Sequence, residues 1–309
     1  MKGMRVQRLG SVRRARSPKD PNENQVPYLG SRFARMRVRI SEHLVMIIAT
    51  LLSIAPLYFM AITAFKSRSE FEENPASLAP ATDPTFENFR TVWTRLDFGL
   101  QMQNSFILSA SSAVIVTVLS VMGGFALAHI KFRGARWILI ATIVLMSVPA
   151  IVIVVPLFLI MVDLQLINTF PSAIIVEAGL GLPFGIYMMF TFMRGLPSEL
   201  FRAAQMEGAG YWRQLIWIAT PLSVSAIGTV ALVTSVMAWN DLLVPLIMWQ
   251  SEDLRVLMVG LAGLSPGRQG GVDVPIAMAG VTISVLPMII LFLIARRFFV
   301  RGLVDGAVK

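Results

Sequence analysis

The chain has 309 residues, of which 55% are hydrophobic and only 15% are charged. A soluble domain averages about 25% charged residues, so this composition excludes one large soluble core and is typical of a membrane protein. Cysteine is absent and histidine occurs twice, which excludes a disulfide framework, thiol chemistry and a histidine-rich metal site. The net charge of +9 would suit nucleic-acid binding, but its position in the chain argues against that function.

The basic charge is concentrated in residues 1–40, which contain eleven Lys and Arg residues and two acidic residues. The stretch SPKDPNENQVP within this segment is rich in Pro, Asn and Ser, which predicts disorder. We therefore divide the chain into a basic, disordered N-terminal extension (1–40) and a membrane domain (41–309). A basic arm next to a membrane segment sets topology and favours anionic lipid.

Six apolar segments reach the length of about 20 residues that a membrane-spanning helix needs. The predicted spans are 44–65, 105–128, 137–162, 170–193, 222–249 and 274–295. Four of them lack charged residues, whereas the fourth contains Glu177 and the fifth contains Asp241. The sequence thus predicts an all-α polytopic membrane protein with six transmembrane helices.

The Lys and Arg residues outside the spans predict the orientation. The side that carries both termini has 21 of them, and the opposite side has 6. This asymmetry predicts that both termini lie in the cytoplasm. The two long connections on the opposite side are 66–104, which is acidic and rich in Pro and Asn, and 250–273, which has an apolar run and a Gly-rich tip. The second connection is compatible with a short interfacial helix and turn or with contact to an external partner.

Residues that could support catalysis are missing from the pattern. The chain has no G-x-x-x-x-G-K-[ST] phosphate loop, no His/Glu metal spacing and no nucleophile elbow. Its cytoplasmic connections are shorter than the 50 or so residues of a small catalytic domain. We predict that the chain is not an enzyme, and that it takes part in translocation, anchoring or signalling.

The connection 197–221, before the fifth span, has the pattern of a helical hairpin. Pro197 precedes Ser198, a suitable N-cap for a helix over about 199–207. Gly208 and Gly210 suit a helix stop and a tight turn before a second helical piece over about 211–219.

Two surfaces of this hairpin follow from helical spacing. One face of the second piece would carry Trp212, Leu215, Ile216 and Ala219. The first piece would present a small, flat surface of Leu200, Ala203 and Ala204, to which another protein could come close. The spacing alone favours an ordinary interfacial hairpin over a surface for a partner protein.

The residues of the hairpin resemble a family signature. The sequence RAAQMEG, followed by nine residues and IATP, resembles the pattern E-A-A-x3-G-x9-I-x-L-P of the permease subunits of ABC importers. The matching positions are Ala203, Ala204, Gly208, Ile218 and Pro221. Arg202 stands in place of the usual Glu, and Thr220 in place of the usual Leu.

The resemblance covers nearly the whole chain after residue 40. Stretches that resemble the sugar-importer branch, and within it the smaller six-span permease of maltose-type systems, are PTFENF, NSFILS, LINTFPSAII, LPFGIYMM, AWNDLLVPL and RRFFVRGLVDGAVK. The resemblance implies a bacterial inner-membrane subunit that forms half of a translocation pore. It also implies that the C-terminal stretch GLVDGAVK reaches between ATPase subunits.

The resemblance further implies the partners. These would be a second permease subunit, two copies of a cytoplasmic ATP-binding subunit, a sugar substrate, and an extracytoplasmic solute-binding protein that docks on 66–104 and 250–273. The hairpin would be the coupling helix, with its ATPase contacts at Arg202, Ala203, Ala204, Glu207 and Gly208. This chain would bind no cofactor, because ATP and Mg²⁺ would be held by the partner ATPase.

Ionisable residues inside predicted spans are candidates for a substrate pathway. Glu177 and Asp241 are predicted at a depth of about 10–12 Å, in the outer half of the membrane. Asn240 could meet a sugar hydroxyl. Pathway lining and structural bracing stay open for all three residues. Gly181-x-x-x-Gly185, interrupted by Pro183, indicates either a closely packed span or a gating hinge.

Three alternative functions differ from a sugar importer. The chain could serve an ABC importer for another solute, an ion-coupled secondary transporter, or a membrane anchor. A secondary transporter would more often have ten or more spans with internal repeats. His43 and His129, at span ends, are better explained as interfacial residues than as proton carriers. An anchor would leave the signature of the hairpin unexplained.

Overall fold

The computed structural model describes residues 30–95, 97–264 and 273–306. All regular secondary structure in these ranges is helical, which confirms the all-α fold class. The α-helices are α1 (Gly30–Ala64), α2 (Arg68–Glu73), α3 (Glu87–Arg95), α4 (Phe98–His129), α5 (Ala135–Met146), α6 (Ala150–Asp163), α7 (Phe170–Arg194), α8 (Ser198–Met206), α9 (Tyr211–Gln214), α10 (Thr220–Leu222), α11 (Val224–Asn240), α12 (Leu243–Met248), α13 (Leu257–Gly263) and α14 (Val274–Gly306). A π turn (Leu215–Ala219) and a 3₁₀ turn (Glu252–Leu254) complete the list.

Some sequence predictions fall on residues outside these ranges. They concern residues 1–29 of the predicted extension, the Gly-rich tip at 265–272 and the last three residues of the C-terminal stretch. Helix α1 already begins at Gly30, within the predicted extension. The domain boundary at residue 40 therefore stays a prediction.

Four helical segments in the described residues are long and apolar enough to cross a membrane without a break. They are Glu42–Ala64, Phe98–His129, Phe170–Arg194 and Val274–Arg296. Two further segments pass only as bent pairs, so the number of spans is four, or up to six if each pair counts as one. The count of six stays a prediction.

The third and fifth predicted spans differ from continuous helices. Helices α5 and α6 meet at an angle of 106°, and Pro149 caps the start of α6, where its missing N–H breaks the helical ladder. The segment 211–222 meets α11 at 79° next to Ser223. Helix α11 then ends at Asn240, so the predicted fifth span is divided again before α12.

The described residues from 57 onward form one compact unit, and the described residues up to 56 form another. Within the larger unit, α4 packs lengthwise against α7, and α11 packs against α4 and α14. Glycines allow the closest approach: a Cβ on Gly185 would overlap Ser120 Oγ, and one on Gly124 would lie 2.8 Å from the Met189 backbone. Contacts this close are typical of membrane helices, in which small residues let backbones meet.

Apolar clusters form the core at each end of this helix pair. We call one the hairpin end, because the hairpin (198–222) packs there; its buried side chains include Phe125, Met189, Met193, Leu215 and Ala219. We call the other the loop end, where Leu108, Val154, Val176, Met248 and Trp249 are buried.

The connection 66–104 is largely helical at the loop end, since it contains α2, α3 and the start of α4. Lys66 is only 2% exposed, and its Nζ donates to the carbonyl of Ser77 at 2.9 Å. The Nδ2 of Asn88 donates to the carbonyls of Ala64 and Lys66, both at 2.8 Å. These bonds tie the segment to the end of α1.

The loops at this end are joined by hydrogen bonds between distant parts of the chain. Asn168 Oδ1 accepts from the backbone N–H of Gln250 at 2.6 Å and of Ser251 at 3.1 Å. Trp249 Nε1 donates to the carbonyl of Thr169 at 2.7 Å. The loop between α6 and α7 is thereby fixed to the segment after α12.

A second set of bonds attaches the 3₁₀ turn to α4. Asn104 Nδ2 donates to the carbonyls of Asp253 at 2.8 Å and Arg255 at 3.0 Å. Helix α13 follows, with the Leu257 N–H bonded to Ser105 Oγ at 2.9 Å. The connection 250–273 thus contains the short helix that was one of its two sequence interpretations.

Candidate functional site

The first half of the hairpin is helix α8, close to its predicted position. Pro197, rather than Ser198, occupies the N-cap position, so the predicted capping role of Ser198 is wrong. Ser198 is the first helical residue, and its Oγ accepts a hydrogen bond from Arg202 Nη2 at 3.0 Å. Glu199 lies in the first turn, where an acidic side chain stabilises the helix.

Helix α8 stops at Gly208, as the sequence predicts. Gly208 has φ +78°, a conformation that favours glycine because a Cβ would crowd the backbone. The N–H of Ala209 then closes back onto the carbonyl of Ala204 at 2.8 Å. Gly210 has φ −67° and ψ 169°, which any residue adopts, so only Gly208 has a backbone reason to be glycine.

The residues predicted to contact an ATPase lie at the surface. Arg202, Ala203, Glu207 and Gly208 are exposed, and Ala204 is half-buried. Met206, on the same short helix, is 89% exposed. Small side chains and an open turn therefore leave the α8 backbone accessible to a partner.

Phe201 is the side chain that attaches α8 to the protein, a role that the sequence pattern did not predict. Phe201 is 4% exposed and packs in the core of the hairpin end. Its ring stacks on the ring of His129, the last residue of α4, with 3.9 Å between centroids. A helical projection of α8 could have singled out Phe201 as its one large aromatic residue, but not its partner.

The second half of the hairpin departs from a regular α-helix. Leu215 and Ala219 are buried, whereas Trp212 and Ile216 are exposed by 65% and 53%, so the four residues predicted on one face do not share one environment. The π turn at 215–219 interrupts the regular period here, because its wider turns shift the side chains within it relative to a 3.6-residue repeat. Pro221, which has no N–H to donate to an α-helical partner, follows directly.

Gln214 closes the hairpin from within. Its side chain is buried, and its Nε2 donates to the carbonyl of Ala209 at 2.7 Å. This bond fixes the second half of the hairpin to the turn that follows α8. Gln214 was not predicted, because a polar residue in a short amphipathic piece is expected at the surface.

The predicted pathway residue Glu177 lies on α7 and is 8% exposed. Its Oε2 has no hydrogen-bond partner among the described residues. An ionisable group inside a spanning helix normally faces a cavity or a partner.

Asp241 and Asn240 are engaged with backbone groups. Asp241 lies between α11 and α12, where Oδ2 accepts from the N–H of Val244 at 2.8 Å and caps α12. Asn240 Nδ2 donates to the carbonyl of Val236 on its own helix at 2.8 Å. In the described part of the chain, no three His, Asp or Glu side chains come together as a metal site.

A cavity of about 510 Å³ lies where the bend between α5 and α6 faces α7. Its lining includes Met146, Val148, Leu157, Gly179, Gly181 and Pro183. Both glycines of the predicted Gly181/Gly185 pair pack against α4: a Cβ on Gly185 would overlap Ser120, and one on Gly181 would be in ordinary contact with Val116. Gly181 also borders this cavity.

Spanning helices, bent pairs and a surface hairpin of small residues define a polytopic membrane protein of the transport-permease class. Residues 120–305 match the family described as "binding-protein-dependent transport system inner membrane component". This match covers more than half of the chain, and the chain belongs to that family. The resemblance predicted from the sequence is thereby confirmed.

Relatives with curated names are similar over most of their length. The arabinooligosaccharides transport system permease protein AraQ of Halalkalibacterium halodurans is 30% identical, over 84% of this chain and 92% of its own. The trehalose transport system permease protein SugB of Mycobacterium tuberculosis is 30% identical, over 83% and 93%. The diacetylchitobiose uptake system permease protein NgcG of Streptomyces coelicolor is 27% identical, over 87% and 88%.

A solved structure shares the fold. A chain of a bacterial ABC transporter involved in the import of the polysaccharide alginate superimposes with a TM-score of 0.73 at 20% identity, over 87% of this chain and 98% of that one. A second structure, the alginate transporter in complex with a periplasmic protein bound to an alginate pentasaccharide, gives a TM-score of 0.62 at 16% identity.

Proposed function

We propose that this chain is the permease subunit of an ATP-driven, binding-protein-dependent importer for a sugar or oligosaccharide. The observation that carries the coupling role is the hairpin, which presents Ala203 and Gly208 at the surface while Phe201 holds it to the core. The substrate class is supported by the relatives, whose names refer to arabinooligosaccharides, trehalose and diacetylchitobiose.

In the proposed assembly, the chain pairs with a second permease subunit in the bacterial inner membrane, and together they form the pore. The hairpin end and both termini face the cytoplasm, in agreement with the excess of Lys and Arg on that side. Two cytoplasmic ATP-binding subunits supply the energy and hold ATP and Mg²⁺. The loop end faces an extracytoplasmic solute-binding protein, which docks on 66–104 and 250–273.

The coupling surface consists of Arg202, Ala203, Ala204, Glu207 and Gly208. A partner can come close to α8 at the two alanines because no large side chain intervenes. Arg202 is held along the helix by its bond to Ser198 and presents a positive charge. In the family signature, a glutamate of the permease stands at the position of Arg202. We therefore expect the ATPase that pairs with this chain to present an acidic residue opposite Arg202.

Within the membrane, Glu177 is the residue best suited to line a pathway, since it is buried and its Oε2 has no hydrogen-bond partner among the described residues. The hydrogen bonds of Asp241 and Asn240 support bracing of α11 and α12 instead. We assign substrate contact to Glu177 and a structural role to the other two.

A bulky substitution tests the coupling surface directly. We expect Ala203→Trp to reduce co-purification of the ATPase subunit about tenfold, because the loss of a close contact of this kind costs roughly 1–2 kcal/mol. The control is Ala76→Trp, an equally exposed alanine at the loop end. Equal amounts of ATPase with both variants would refute the coupling role.

The turn after α8 offers a second matched pair. Gly208→Ala places a Cβ at φ +78° and should destabilise the turn by about 1 kcal/mol, whereas Gly210→Ala meets neither strain nor a neighbouring atom. ATPase association should fall in the first variant only.

A ligand screen of the cognate binding protein tests the substrate class, and selective binding of a non-sugar solute would contradict it.

A further inference from the structure

Three aromatic rings join α4 to α8 at the hairpin end. His129 stacks on Phe201 with 3.9 Å between ring centroids and 27° between ring planes. Phe125, one turn earlier on α4, lies 5.3 Å from His129 and 6.3 Å from Phe201. Stacked rings at these distances attract one another beyond the effect of burying their area.

His129 also contacts α7. Its Nε2 lies 3.1 Å from the carbonyl oxygen of Met193, which accepts the hydrogen bond. Met193 is fully buried in the same cluster. A single imidazole therefore touches α4, α7 and α8.

Few other contacts attach α8 to these helices. Phe201 is the only buried side chain among the nine residues of α8, all of which are described. The covalent segment 195–197 also connects α8 to α7. The second half of the hairpin has its own attachment through Leu215 and Ala219, and it continues into α11.

We propose that the Phe201–His129 stack is the element that transmits a displacement of α8 to α4 and α7. A force on the exposed face of α8 reaches α11 through the π turn, which also touches α4. From α8 itself, the side chain that meets the end of α4 is Phe201, whose ring stacks on His129 and lies next to Phe125. Phe201 and His129 are positioning residues in this scheme, since neither touches ATP or substrate. The inference rests on the proposed coupling role of the hairpin.

Two variants of His129 separate the ring stack from the hydrogen bond. His129→Phe keeps an aromatic ring against Phe201 and loses the donor to Met193. His129→Asn keeps a donor and loses the ring. Phe201→Ala removes the other half of the stack and leaves the exposed residues of α8 unchanged.

The measurement uses the assembled transporter in nanodiscs, with cysteine-free partner subunits. This chain has no native cysteine, so spin labels can be placed at Lys131→Cys, just after α4, and Met206→Cys, on α8. The distance between the labels is measured without nucleotide and with ATP plus orthovanadate. If the stack links the two helices, the labels move together, and the distance changes by less than about 2 Å, the size of ordinary helix shifts in such transitions.

We expect His129→Phe to behave like the parent. In His129→Asn and Phe201→Ala, the distance between the labels should equal that of the parent without nucleotide. With ATP and orthovanadate, it should differ from that of the parent by more than about 2 Å. A merely structural role would alter the distance in both conditions. ATPase co-purification should stay unchanged, because the contact surface is intact.

Parent-like distances in Phe201→Ala and His129→Asn under both conditions would overturn the inference. If Phe201→Ala does not accumulate in the membrane, the His129 pair decides, and equal behaviour of His129→Phe and His129→Asn refutes the stack as the link. The proposed function fails separately, when Ala203→Trp leaves ATPase association unchanged.

Discussion

The hairpin end and the loop end are held together by different kinds of interaction. At the loop end, Asn104, Asn168 and Trp249 bond to backbone groups of loops that are distant in sequence. At the hairpin end, ring stacking and apolar contacts predominate around Phe201, Leu215 and Ala219.

This difference has a mechanical consequence. Hydrogen bonds require a narrow range of distance and angle, so a loop held by several of them moves as one piece or breaks away. Apolar contacts are non-directional, and helices joined mainly by them can tilt without losing contact. The loop end is therefore built as a platform, and the hairpin end as a joint.

The largest effect on stability is expected from a substitution in the α4–α7 contact at the hairpin end, and it tests the comparison of the two ends. Gly124→Ala places a Cβ 2.8 Å from the Met189 backbone, so we expect a loss of about 2–3 kcal/mol from overpacking and a lower melting temperature of the purified complex. Gly179→Ala is the control, since its Cβ meets nothing within 4 Å. If Gly124→Ala melts like the parent, α4 and α7 are not tightly packed at this end.

A smaller effect is expected at the platform. Asn168→Ala removes the acceptor for two backbone N–H groups and places alanine at φ +60°, which should cost about 1–2 kcal/mol. Amide hydrogen exchange in residues 249–256 should become faster, while exchange in the hairpin stays unchanged. Asn168→Asp, which keeps an acceptor oxygen and tolerates this backbone conformation, should exchange like the parent. If Asn168→Ala made amide exchange equally faster at the loop end and at the hairpin end, the two ends would not differ in how they are held together.

The smallest effect on stability is expected from a surface ion pair at the loop end. It tests whether hydrogen bonds to the backbone, and not surface ion pairs, hold the loops there together. Glu252 and Arg255 form an exposed pair at 3.2 Å. Glu252→Gln should change the free energy of unfolding by less than about 0.5 kcal/mol, because solvent screens such a pair. A drop in melting temperature as large as that of Asn168→Ala would assign the platform to surface charge instead.

The sequence predicted those features that depend on local chemistry. The apolar runs located the helices, and Gly208 marked the stop of α8 because a left-handed residue leaves a local signature. The family signature identified the hairpin through residues that are close in the chain. Pro221 marked the start of the fifth predicted span, next to the bend at Ser223. Pro149 lies at the centre of the third predicted span, where the long apolar run conceals the break between α5 and α6.

Features that depend on contacts between distant residues were not predictable from one sequence. The stack of Phe201 on His129 joins residues that are 72 positions apart, and nothing near either residue indicates the other. Asn168 was unremarkable in its loop, although its carboxamide holds a segment 82 residues further on. The π turn escaped prediction because its shift of one residue leaves the apolar composition unchanged.

The burial of Lys66 bears on how the chain enters the membrane. In the proposed orientation this lysine must be carried across the bilayer, against the bias that its charge creates during insertion. After the crossing, its ammonium group donates to Ser77 and is withdrawn from solvent, while Asn88 fixes the adjacent backbone. Return of the first span would require these bonds to break. The lysine that opposes insertion therefore becomes, once folded, a barrier to reversal of the topology.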